Sequence, residues 1–154
     1  MKKFLTLPTL VKCCAFVFGV VAFCLMFADQ LLIKSGNSST SVAFQDALFG
    51  GKILFVTYKG AVLSFIGYLL ALVAALLTGA NLFVTDKKVN KFLPLVNGAL
   101  FIVAGVFVIL EAAVWNGTNE VENFVSLGAA PIIAAILAWL AGLANCCSAF
   151  LAKK

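Results

Sequence analysis

The stretch Gly60–Phe83, GAVLSFIGYLLALVAALLTGANLF, runs without a charge from Lys59 to the Asp86-Lys87-Lys88 cluster. At about 1.5 Å per residue, an α-helix of this length crosses a hydrocarbon core of about 30 Å with some tilt. It is therefore expected to span a membrane. Within it Gly67, Ala71, Ala75 and Gly79 recur every fourth residue, which lines up small side chains along one face. In lipid, such a strip lets a second helix approach closely enough for van der Waals packing to hold the pair.

Three further apolar stretches flank this one: residues 10–33, with Lys12 near the start and Asp29 near the end, residues 92–115, and residues 128–151. With 64% hydrophobic and 11% charged residues, the chain lies far from soluble-domain composition. The expected fold is an all-α integral membrane protein, one domain over 1–154, with helices at about 10–33, 60–83, 92–115 and 128–151. The start, MKKFLTLPTLVKCCAFVFGVVAFCLMFA, has the lysine-bearing head and apolar core of a secretory signal. Met26-Phe27-Ala28 fits a cleavage site poorly and the stretch is long enough to span, so a retained first helix is expected.

Charge orients these spans. If they alternate, Lys2, Lys3, Lys12, Lys87, Lys88, Lys91, Lys153 and Lys154 share one side with Asp86, a net of +7. Lys34, Lys52 and Lys59 face Asp29, Asp46, Glu111, Glu120 and Glu122 on the other, a net of −2 that completes the chain's +5. The excess of lysine places both termini and residues 84–91 in the cytoplasm of a multi-pass cell-membrane protein. The scattered lysines and the absence of arginine point to anionic lipid as partner and away from nucleic acid.

The outer loop, residues 34–59, opens with polar SGNSSTS and continues VAFQDALFGGKILFVTYKG. Val42, Phe44, Leu48 and Phe49 around Asp46 suggest a short interfacial element. Ile53–Tyr58 reads as a strand or short hairpin, with an N-terminal extension of the second span as the rival. In the third span Pro94 is expected in the first turn, as is Pro131 in the fourth. In that fourth span Ala130, Ala134, Ala138 and Gly142 repeat the small-residue strip, so the second and fourth spans are expected to make the closest contact. Ala15 and Gly19 give the first span the same spacing.

Side chains that could carry chemistry are few. Histidine is absent, no Gly-rich phosphate loop occurs, and no Ser or Cys has a base beside it, so no enzyme activity, cofactor or metal is expected. Cys13-Cys14 and Cys146-Cys147 fall near the cytoplasmic interface, where they fill helix contacts, accept S-acylation or, least in keeping with their spacing, bind a metal. Asp29, Lys59 and Glu111 form a candidate polar cluster at the outer rim, either solvated and paired or an outward ion site. Asn97 and Asn145 are placed to hydrogen-bond across the third and fourth spans. Trp115 reads as an interfacial anchor and Trp139 as packing. Asn37-Ser38-Ser39 and Asn116-Gly117-Thr118 match the glycosylation pattern.

The cytoplasmic ends, long first outer loop, short basic inner loop and shorter second outer loop resemble claudin-like and related tetraspan proteins in topology. The Phe49-Gly50 turn, the KKVNKFLP start of the third span and the arginine-free composition look like small uncharacterised bacterial four-helix (tetraspan) membrane proteins. That resemblance implies the fold and no particular activity. The expected role is interaction, scaffolding or accessory binding through outer loops and helix faces, with other membrane proteins or copies of itself as partners. The alternative is a small transporter or channel using Asp29 and Glu111.

Overall fold

A computed structural model describes residues 6–35, 38–53, 56–121 and 124–151. Lys2, Lys3, Asn37, Glu122, Lys153 and Lys154 lie outside the described residues, as does the side chain of Lys34. Four helices are long and apolar enough to cross a membrane: α1 (Leu7–Cys24, continued by a 3-10 turn Leu25–Phe27), α3 (Val62–Asn81), α4 (Lys87–Ile109) and α6 (Ala129–Leu151). Leu, Ile and Val such as Val21, Val73, Leu76, Val106, Ile136 and Leu140 stand exposed on their outer faces. In water that belt would be costly; in a bilayer it is the solvated surface.

Small residues dominate the interior. Ala15, Ala71, Ala74, Ala75, Ala104, Ala138 and Ala141 surround the buried ring of Phe101. Gly98 and Gly142 mark the closest approach of α4 and α6, where a Cβ on either glycine would press on the carbonyl of the other at 3.0 Å. The strip residues of α6 are all buried, as are Gly67, Ala71 and Ala75 of α3. Their partners differ from the expectation: α3 packs on α1 and α4, α6 also packs on α1 and α4, and α3 and α6 sit diagonally. The small strips let the neighbouring helices α1 and α4 come close. Gly79 faces the Phe16 ring and Gly67 lies against Phe107.

Three boundaries move. The first span stops at Phe27, and Leu31–Ser35 forms strand β1 instead of helix. The Gln30 side chain explains the stop, because its Nε2 donates to the carbonyls of Leu25, Met26 and Ala28 at 2.9, 2.9 and 2.7 Å, meeting acceptors that a helix end leaves open. At its start α4 begins at Lys87, where the Asp86 carboxylate accepts from the backbone N–H of Lys88 and Val89. Pro94 therefore lies inside the helix rather than in its first turn, whereas Pro131 does occupy the first turn of α6. At the far end α4 stops at Ile109, and after Leu110 a separate short helix α5 runs Glu111–Thr118.

Two of the connections, α1–α3 and α4–α6, fold together into a cap. Strands β1 and β2 (Ser38–Val42) pair antiparallel, with Leu31 opposite Val42. Strand β5 (Val125–Leu127), from the second connection, joins the other edge of β1, giving the order β2-β1-β5. Helix α2 (Phe44–Phe49) forms where a short element was expected around Asp46. It leads into a hairpin of β3 (Gly50–Ile53) and β4 (Val56–Lys59), which realises the hairpin reading of this stretch over the helical one. Gly50 makes the α2–β3 corner at φ +84°, where a side chain would be strained and would collide with the backbone of Tyr58 and Gly60. Leu31, Ile33, Val42, Ala47, Ala61, Trp115 and Val125 form the cap's own core.

Candidate functional site

Two asparagines, Asn116 of α5 and Asn119 at its C-terminal end, hold the cap together. Asn116 bridges both backbone groups of Val125, donating at 3.0 Å and accepting at 3.1 Å, and so extends the sheet by a side chain. Asn119 accepts from the Lys59 N–H at 2.7 Å and donates to the Lys59 and Trp115 carbonyls, both at 2.9 Å. The Asn116 amide of the second glycosylation pattern is thus committed to internal bonds. Trp115 is fully buried and not an interfacial anchor: its ring stacks with Phe124 and lies 4.9 Å, centroid to centroid, from Tyr58. Bringing α5 under β4 and β5 buries this face, a consequence of the break at Leu110.

The same break turns Glu111 inward. Its residue exposure is 0%, and neither carboxylate oxygen has a hydrogen-bond partner among the described residues. Burial pushes its carboxyl up to about 8. Below it, from α3, the Tyr68 hydroxyl donates at 2.6 Å to Oε1 of the buried Gln30, and Tyr68 lies within electrostatic reach of Glu111. One helical turn along α5, the Trp115 Nε1–H is also buried and has no partner among the described residues. Asp29 and Lys59, by contrast, are exposed. The expected rim cluster of Asp29, Lys59 and Glu111 therefore separates into two surface charges and one fully buried acid.

At the opposite, lysine-rich end, Lys12 is almost fully buried and donates to Asn90 Oδ1 at 2.9 Å. Farther into the bundle Asn97 and Asn145 do not bond directly. Thr78 of α3 joins them, accepting from Asn97 Nδ2 and donating to Asn145 Oδ1, each at 3.3 Å. Ser148 and Asn81 are buried beside this chain, and neither amide atom of Asn81 has a partner among the described residues. Trp139 packs against Gly105 and donates to the Ile102 carbonyl at 3.2 Å.

All five cysteines are free thiols; Cys13, Cys14 and Cys147 are exposed and Cys146 is half-buried against Gly98. The open surface of the cap includes edge strand β2, whose Ser39, Thr40 and Ser41 are exposed. Beside it a cleft of about 300 Å³ is lined by Ile33, residues 40–43, Asp46 and Lys52. Comparison with protein-family models, with curated proteins and with solved structures finds no match.

The sequence does carry signals for what was missed. Glu111 follows an uninterrupted apolar run by one residue, and Gln30 and Tyr68 are polar positions within or next to spans. Their meeting depends on where α1 and α4 end, which hydropathy alone does not fix.

Proposed function

We propose that this chain is a non-enzymatic multi-pass membrane protein that serves as an interaction, scaffold or accessory subunit. The carrying observation is the cap: two separate connections share one sheet, are stapled by Asn116 and Asn119, and leave an uncharged strand edge beside a cleft. Unpaired strand edges present main-chain donors and acceptors that another extended segment can complete. Ser39-Thr40-Ser41 has no charge or proline to discourage such pairing. The lysine asymmetry supports a cap outside the cell membrane and cytoplasmic termini. The order of its connections supports kinship with small four-helix membrane proteins of claudin-like topology.

A photo-crosslinking side chain at Thr40, compared with one at the lipid-facing Leu140, tests this role in native membranes. A discrete adduct with another membrane protein or a second copy is expected from Thr40 and is expected to fall sharply when Ser41→Pro blocks the edge. Adducts of equal yield from both positions would count against the cap as the partner face. The transporter or channel reading draws its support from Glu111 alone, since Asp29 is exposed elsewhere. Ion or proton flux into liposomes that disappears in Glu111→Gln would favour it instead.

A further inference from the structure

Glu111 stands at the seam where the cap meets the bundle, on the residue after the Leu110 break, and its neighbours make it unlike an ordinary structural acid. It is fully buried, neither of its oxygens is hydrogen-bonded among the described residues, and it shares one face of α5 with Trp115, whose ring clusters with those of Tyr58 and Phe124. A carboxylate in such a place lacks the donors that would compensate its charge, and the neutral acid is the form that burial tolerates. Tyr68, from α3, is the titratable side chain that faces it. The cap-side halves of α4 and α6 and strand β5 contain none, and Lys59 and Glu120 are exposed.

We infer that Glu111 is a proton-binding site at this seam, held as the neutral acid while the cap is seated and ionised when the cap lifts away from the bundle. On lifting, the carboxylic O–H gives its proton to water and the carboxylate becomes hydrated; on reseating the proton returns from solvent. The displaced carboxyl value agrees: seated it is about 8, against 4.5 for the free group. A raised seated value means that seating is fully supported below about pH 4.5 and loses about tenfold in its equilibrium constant per pH unit from there to about 8. Above that range the loss levels off. The ligand is thus the proton, and the responding element is the cap that carries the β2 edge.

The test uses the full chain in nanodiscs with Trp139→Phe, so that Trp115 is the remaining indole. Acrylamide quenching of Trp115 is expected to rise with pH and to level off near pH 8. In Glu111→Gln, which matches the neutral acid in size and charge, it is expected to stay at the low-pH value throughout. Infrared spectra at pH 6.5 are expected to show a protonated carboxylic acid band that is missing in Glu111→Gln. A quenching curve that is flat in the parent, or rises equally in Glu111→Gln, would overturn the proposal. So would absence of the acid band at pH 6.5, or failure of Glu111→Gln to fold.

Discussion

In the lysine-rich half of the bundle, Asn97, Thr78 and Asn145 cross three helices as a hydrogen-bonded chain; at the cap seam, Glu111 is buried just as completely and has no hydrogen-bond partner among the described residues. Both regions place polar atoms where water does not reach. The amides are neutral, so an unpartnered atom such as those of Asn81 costs about 1–3 kcal/mol and the chain around it offsets part of that. The carboxylate has a further option, because it can shed its charge by taking a proton. One region therefore uses burial to fix helix positions, and the other uses it to make seating depend on pH.

Loss of the aromatic centre of the cap should have the largest effect. Trp115→Ala removes a fully buried indole stacked on Phe124 and is expected to destabilise the cap by about 3–5 kcal/mol. Limited proteolysis within the connections should accelerate while the four spans keep their helical circular dichroism. Equal loss of both signals would show that cap and bundle are one cooperative unit, and the contrast between them would fail.

Overpacking the bundle comes next. Ala75 and Ala138 are buried, with α1 and α4 between their helices, so Ala75→Leu and Ala138→Leu should each cost about 1–3 kcal/mol in detergent unfolding. Unchanged thermal stability in both would place the strips against lipid. The smallest effect belongs to the amide chain. Thr78→Val removes the hydroxyl that links Asn97 to Asn145 and should cost about 0.6–2 kcal/mol without any new pH dependence. A pH-dependent loss there would mean that the two buried regions are not chemically distinct.

Much of the bundle was legible because a span needs about 20 apolar residues and small residues every fourth position align on one face. The partners of those strips were not legible, since Gly67 and Gly79 of α3 meet Phe107 of α4 and Phe16 of α1 rather than the matching strip of α6. The hairpin at Ile53–Tyr58 could be read from its β-branched and aromatic residues, but Leu31–Ile33 looked like the end of a helix. Period alone does not separate a short apolar strand from a helix end, and the Gln30 side chain that caps this end is held by Tyr68, from another helix. Glu111 was misplaced for a related reason: extending the third span through Trp115 sends residue 111 to the rim, whereas ending it at Ile109 folds that residue under the cap.

The central claim is that both connections sit together on one side as a single cap, with the lysine-rich ends on the other. In a background lacking the five native cysteines, Ser39→Cys, Thr118→Cys and Lys88→Cys can be probed in intact cells with a membrane-impermeant maleimide, since all three positions are exposed. Cysteines at 39 and 118 are expected to react from outside and the one at 88 only after permeabilisation, while Ala47→Cys, beneath the cap, stays unreactive until the protein is unfolded. Labelling of position 88 from outside, or of 39 and 118 from opposite sides, would contradict the account.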